Sequence, residues 1–321
     1  MTLNKLLIAC IAWLAVLMSA YAQTQYPNRP IRYIVPFPPG GSADGIARIM
    51  SQQMTQLMGQ QWLVDNRPGA DGALAAGIVM KAAPDGYTVF FGSNSPMSAA
   101  PALRKVPPYD PVKDFTALGL IGHFTFIVFS SPTIPARTLG ELIDYARANP
   151  GKLSYGTGNT SGIVSTAQLK ALAKIDITQI PYKGDAPVTA DLIGGRIQFA
   201  IMAPVPALAQ ARDGRLRMLA VLLPKRSALA PDVPTIAEAG MPGVSITPWT
   251  GLFGPAGMSK EIVARLSRDL HTVLSRAEIR EQIQRQGVEV QTSTPQELAT
   301  HTREQYQAWT RIIAEAQIPR D

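Results

Sequence analysis

Two stretches of this 321-residue chain set glycines and hydroxyl side chains where a strand would hand over to a helix. The first is Pro36-Phe37-Pro38-Pro39-Gly40-Gly41-Ser42-Ala43-Asp44, and the second is Gly156-Thr157-Gly158-Asn159-Thr160-Ser161-Gly162. Glycines let backbone N–H groups crowd inward, and the helix N-terminus behind them carries a partial positive charge. Such a loop can hold a carboxylate or phosphate without a basic side chain. Ser42, Thr157, Asn159, Thr160 and Ser161 add further polar groups. The dipole contributes about 0.3 to 2 kcal/mol per anion, so two facing termini suit a small diacid. One such loop is adequately read as a tight turn with a capped helix; two in matching places favour a ligand site. Asp44 stands in the first turn of its helix, where a carboxylate either caps the helix or meets a ligand.

A third stretch, Tyr182-Lys183-Gly184-Asp185-Ala186-Pro187, follows a strand and precedes a helix. Lys183 offers a charge to an anion, while Asp185 either caps the helix or accepts from a ligand amine. Other chemistries find less support. Gly156-x-Gly158-x-x-x-Gly162 loosely resembles a dinucleotide fingerprint, but its last glycine comes one position late. An exported dinucleotide-using oxidoreductase is therefore the competing reading. There is no Walker-type phosphate loop and no nucleophile elbow. His123, His271 and His301 lie in separate segments, the last two read as surface residues of tail helices. No metal site, cofactor or catalytic constellation is expected.

The elements that must position these loops alternate between strand and helix character, the pattern of α/β layers. A strand over 31–35 precedes the first loop. Ile46, Ile49, Met50, Met54, Leu57 and Met58 then mark an amphipathic helix closed by Gly59. Strands over 62–64 and 87–91 flank a helix over 73–83. A second unit of the same kind starts near Phe124, with a strand over 126–129 and a capping box of Thr138 and Glu141. A strand over 153–156 leads into the second loop, and strands over 177–181, 197–202 and 216–223 follow. The stretch 227–243 reads as a long surface connection. Trp249, before Gly251-Leu252-Phe253-Gly254-Pro255, either lines a cleft or fills core between two lobes. The tail returns to helix, with Thr294 and Glu297 as a second capping box and Trp309, Ile312 and Ile313 docking the last helix.

Lys5, the 13 uncharged residues Leu6 to Met18, and Ser19-Ala20-Tyr21-Ala22 have the layout of a secretory signal cut before Gln23. The run is short for a membrane span, which needs about 20 apolar residues. The single cysteine, Cys10, would leave with this signal, so no disulfide is expected. The remaining chain, about 300 residues, suits two lobes better than one. Its composition, 46% apolar and 17% charged, is globular. The formal charge of +7 is spread without a run of four Lys/Arg or interleaved aromatics, which argues against nucleic-acid binding. An anionic ligand or partner surface remains compatible with it.

The ordered motifs resemble the Bug-type extracytoplasmic receptors of tripartite tricarboxylate transporters. The resemblance runs through Tyr26-Pro27-x-Arg29-Pro30-Ile31, the first loop, Asp65-Asn66-Arg67-Pro68-Gly69-Ala70 and Pro84-Asp85-Gly86-Tyr87-Thr88. It continues through Pro181-Tyr182-Lys183-Gly184, Leu219-Ala220-Val221 and Pro231-Asp232-Val233-Pro234-Thr235-Ile236-Ala237-Glu238-Ala239-Gly240. It implies a two-lobed α/β periplasmic binding fold, each lobe a sandwich, with two crossing segments as hinge. Boundaries at 23–124 plus 248–321 for one lobe and 125–247 for the other follow. It also implies a monomer that passes a dicarboxylate or aromatic carboxylate to inner-membrane transporter subunits or a sensor. The ligand-binding residues would be Phe37, Pro38, Pro39, Gly40, Gly41, Ser42, Asp44, Thr157, Gly158, Asn159, Thr160, Ser161, Tyr182, Lys183 and Asp185. The chain departs from the family pattern at Val164, where relatives usually carry a His nearby, at Asp185 in place of a frequent Gly, and at Ala203 in place of an Asp. Those changes bear on the ligand's polarity, and Asp185 makes an amine-bearing acid or an amide conceivable.

Overall fold

The computed structural model describes residues 26–182, 184–244, 246–315, 318 and 320. The expected signal, 1–22, and Lys183 lie outside the described residues. Strand β1 (Ile31–Val35) leads into helix α1 (Ser42–Met58), β2 (Trp62–Asn66), α2 (Ala73–Met80) and β3 (Thr88–Ser93). A short helical stretch at 95–102 then precedes β4 (Phe115–Phe124). The chain continues through β5 (Ile127–Ser130), α3 (Leu139–Ala148), β6 (Leu153–Thr157), α4 (Thr160–Ala173), β7 (Ile177–Pro181) and α5 (Asp185–Ile193). After β8 (Phe199–Met202), α6 (Leu208–Arg212) and β9 (Arg217–Val221) come β10 (Trp249–Pro255), α7 (Lys260–Leu274), α8 (Ala277–Arg285), β11 (Val288–Val290) and α9 (Pro295–Glu315).

These strands form two sheets, ordered β11-β4-β10-β3-β1-β2 and β7-β6-β8-β5-β9. In the first, β1 pairs in parallel with β2 and β3, and β10 runs antiparallel between β3 and β4. In the second, β6 pairs in parallel with β7 and β8, and β5 runs antiparallel between β8 and β9. Each sheet thus repeats one plan, and the antiparallel strand beside the parallel set, β10 in one and β5 in the other, is the first that the chain forms on arriving from the other sheet. The two crossings run side by side, with Phe124 N donating to Pro248 O at 2.7 Å.

Side-chain alternation explains why helices cover both faces. Ile31, Tyr33 and Val35 of β1 pack with Ile46, Met50 and Met54 of α1, whereas Ile34 packs with Ala75, Ala76 and Val79 of α2. A right-handed β-α-β connection on each side of β1 requires this division of faces. In the second sheet Leu153 and Tyr155 pack with Leu169 and Ala173 of α4, while Val188 and Leu192 of α5 join Ala200 and Met202. The loops after β1 and β6 therefore open at the carboxyl ends of strands whose neighbouring connections diverge, where α/β sheets bind ligands. The α1 side of the first sheet and the α4 side of the second share one continuous apolar cluster.

The Thr294–Glu297 capping box forms with reciprocal bonds of 2.8 and 3.2 Å, while at the other site Glu141 N donates to Thr138 Oγ1 at 3.1 Å and the Glu141 carboxylate accepts from Arg137 N, one residue before the cap, at 2.6 Å. Three expectations need correction. The stretch 227–243 is no mere surface connection, because Ala230, Val233 and Ile236 are buried and Thr235 bridges Val221. His301 is not a surface residue: its ring stands edge-on to Trp249 at 5.0 Å and to His123 at 5.7 Å. The longest strand, β4, escapes the sequence reading because of Gly119 and Gly122. At Gly122 a Cβ would collide with the backbone oxygen of Glu289, so glycine is what admits β11 alongside.

Candidate ligand-binding cleft

Asp44 resolves its ambiguity by turning inward. Its carboxylate is almost fully buried and accepts from Gly40 N at 3.0 Å, Arg48 Nε at 2.9 Å and Asn66 Nδ2 at 3.0 Å. Burial alone would push its pKa up, but the bonds from Arg48, Gly40 and Asn66 outweigh it and hold the carboxyl below its ordinary value. Asn66 Nδ2 also donates to Phe37 O at 3.1 Å, so one β2 side chain ties the first loop at two points. Phe37 is half-buried, Pro38, Pro39, Gly40 and Gly41 are exposed, and Ser42 opens α1. Gly41 caps α1 with extended backbone and no side-chain bond, which leaves first-turn N–H groups facing outward from the helix end.

The second loop is braced by side chains. Thr157 Oγ1 accepts from Gln179 Nε2 at 2.9 Å, and Thr157 O accepts from Tyr182 N at 2.9 Å. Asn159 caps α4 by accepting from Gly162 N at 2.9 Å, and its Nδ2 donates to Asp185 Oδ1 at 2.8 Å. Asp185 Oδ2 accepts from Ala203 N at 3.3 Å. The residue is half-buried, yet its carboxyl points inward, and burial pushes its pKa up to about 6 against the opposing bonds from Asn159 and Ala203. Gly158 lies so close to Gly184 and Asp185 that a Cβ would overlap both. Asp185 thus stands behind the loop, and Tyr182 points its hydroxyl at Asp191, 2.7 Å away.

Two hydrogen bonds cross from one sheet's loops to the other's. Thr160 Oγ1 donates to Asp71 Oδ1 at 2.7 Å, and Asn94 Nδ2 donates to Ser161 Oγ at 2.5 Å. The sequence reading missed Asp71 and Asn94. Asp71 carries a faint signal, an acid in a Gly-x-x-Gly turn; Asn94 carries none. Gly72 sits where a Cβ would approach Pro36 and Pro96 at 3.0 Å, so the turn holding Asp71 is wedged against the base of the first loop. Trp249 is fully buried and fills core; its backbone N–H donates to Asn94 Oδ1 at 3.4 Å. Val164 is buried beneath Trp309 and offers no polar group. Two cavities, of about 520 and 250 Å³, are lined by residues of neither loop. Among the described residues no three His, Cys, Asp or Glu side chains converge as metal ligands.

The family model for the receptor of the tripartite tricarboxylate transporter family matches residues 46–318. The chain belongs to that family. Protein BugT of Bordetella pertussis is 32% identical over 295 residues, which span 90% of each chain. Two solved structures are similar throughout. R. palustris Rpa4515 with adipate has a TM-score of 0.85 at 31% identity over 92% of this chain and all of that one. MatC from Rhodopseudomonas palustris with bound malate has a TM-score of 0.79 at 31% identity over 90% of this chain and all of that one. These likenesses agree with the two-lobed α/β binding-protein architecture.

Proposed function

We propose that this receptor captures a small carboxylate between its two lobes in the periplasm and hands it to inner-membrane transporter subunits. The observation that carries the reading is the matched pair of strand–loop–helix units, one at the divergence point of each sheet, linked through Asp71–Thr160 and Asn94–Ser161. The adipate and malate complexes of Rpa4515 and MatC support the ligand class. In this reading the lobes are 23–124 with 248–321, and 125–247, with the paired crossings as hinge. The ligand meets the first-turn N–H groups of α1 through Phe37, Pro38, Pro39, Gly40, Gly41 and Ser42, and those of α4 through Thr157, Gly158, Thr160 and Ser161. Asp44, Asn159, Tyr182 and Asp185 act one layer back by holding these loops, and Lys183 contributes positive charge to binding. Ligand contact with both loops at once stabilises the closed arrangement over the open one.

Export follows cleavage after Ala22, and no described helix is long and apolar enough to cross a membrane. Capture rather than catalysis is the proposed role. A thermal-shift screen of carboxylates and amides on the chain from Gln23 onward tests it. A bound member at 100 times its dissociation constant adds about 2.7 kcal/mol and raises the melting temperature. No shift with any carboxylate, or substrate-dependent turnover of NAD or NADP, overturns the reading.

A further inference from the structure

The turn from Gly69 to Gly72 is unusual because all four residues have positive φ, and two of them, Ala70 at 48° and Asp71 at 55°, are not glycine. Left-handed backbone at a non-glycine residue is uncommon, although Asp adopts it more readily than most. Two consecutive departures from the normal range persist only where the surroundings hold them. Here they are held by Gly72 against Pro36 and Pro96, and the result is that Asp71 projects toward the N-terminus of α4. Its Oδ1 accepts from Thr160, the first residue of that helix, whose side chain is buried. Among the described residues this is its one hydrogen bond, and no described cation forms an ion pair with it.

A carboxylate in this position changes what the cleft can accept. The N-terminus of α1 attracts an anionic group, whereas Asp71 stands against the N-terminus of α4. A second anionic group on the same ligand would approach Asp71 and be repelled, whereas a donor N–H or an ammonium would find an acceptor there. Asp185, the other acid near the second loop, cannot serve, because Asn159 and Ala203 occupy its two oxygens behind that loop. Arg104 is the charged neighbour to weigh against this; its field and that of Asp71 both reach the Tyr109 hydroxyl. It makes an interaction of its own.

We propose that Asp71 reads the end of the ligand remote from its carboxylate and selects a nitrogen donor, so that the preferred ligand is an amino-carboxylate or a carboxylate bearing an amide. This rests on the carboxylate-capture reading above. Asp71 is a specificity residue, and its effect lies in a ratio of affinities rather than in affinity alone.

Calorimetric titration with chain-matched probes tests it: adipate, its monoamide and 6-aminohexanoate as one set, succinate, its monoamide and 4-aminobutanoate as another. The intact chain binds the amino or monoamide member of at least one set tenfold or more tighter than the diacid. Asp71→Asn keeps an acceptor for Thr160 and tolerates the left-handed backbone; it removes the preference for the ammonium by tenfold or more while the melting temperature holds. Asp71→Gly, which suits the backbone angle better still, does the same and guards against a folding defect in the first variant. The proposal is overturned if the diacids bind best, if the diacids bind and neither nitrogen-bearing class does, or if both variants leave the ratios unchanged. Heat from none of the probes, diacids included, removes the carboxylate reading itself and this proposal with it.

Discussion

Gly158 and Asp44 show how single residues set the cleft's geometry. At Gly158 the nearest obstacle to a side chain includes Gly184 backbone, which cannot rotate aside as a flexible side chain would. Gly158→Ala should therefore shift the second loop and lower stability by about 1 to 3 kcal/mol, read as a fall in denaturation midpoint. Asp44 gathers three donors around a buried carboxylate, and hydrogen bonds to a charged group contribute about 1.5 to 3 kcal/mol each. Asp44→Ala should cost about 2 kcal/mol or more, and urea denaturation would measure it. Because its folded pKa lies below the ordinary value, the contribution is present above that value and disappears as pH falls through the folded pKa. The type of residue at Asp44 was legible from sequence; its role was not. A carboxylate in a first turn suits capping or ligand contact equally, and only Asn66, 22 residues away, turns it inward.

The helices flanking the loops were legible from periodicity and capping chemistry, because those signals are local. Both Thr–Glu caps and the ends of α1 and β10 follow from nearby residues alone. What was illegible depends on partners distant in sequence. The glycines of β4 read as turn residues until β11 packs against Gly122, and the turn carrying Asp71 reads as a plain loop until α4 arrives 89 residues later. Helix α9 illustrates the consequence. Trp309 is fully buried and touches Ala99 and Ala102 from the stretch after β3 as well as Val164 of α4. A terminal helix expected to dock on one lobe thus contacts elements next to both sheets. Trp309→Ala should lower stability by about 3 to 5 kcal/mol. It should also loosen the contact between α4 and the 95–102 segment, seen as faster amide exchange in both. Protection unchanged in α4 would limit Trp309 to the first sheet's side.

Across the whole molecule the two sheets are joined at the paired crossings, where Phe124 N donates to Pro248 O, and His123 lies one residue before the first of them. His123, the penultimate residue of β4, lies opposite Trp249 and Glu289 in register, beside a cavity of about 250 Å³ that His301, Gln291 and Glu297 also line. Burial first, and the neighbouring His301 second, push the His123 pKa down to about 4. The folded protein therefore takes up this proton later than the unfolded chain does. Stability is unaffected above an ordinary histidine pKa of about 6.5 and falls progressively as pH drops from there toward 4. Asp185 acts in the opposite sense, since its folded pKa of about 6 favours the folded state as pH falls from 6 toward 3.8. Melting curves between pH 7 and 4.5 should show a shallower decline in His123→Gln than in the native protein; parallel curves would remove the histidine from the account. The central claim, that a carboxylate is gripped at the end of α1 as well as α4, is most directly tested at Gly41. Its backbone is extended, with φ −89°, and a Cβ there meets nothing within 4 Å, so Gly41→Val should fold normally. Calorimetric titration of both proteins with the carboxylate that most stabilises the native chain supplies the measurement. The account predicts one site per chain in the native protein and at least tenfold weaker binding in Gly41→Val with an unchanged melting temperature. Equal affinity in the two proteins would contradict it.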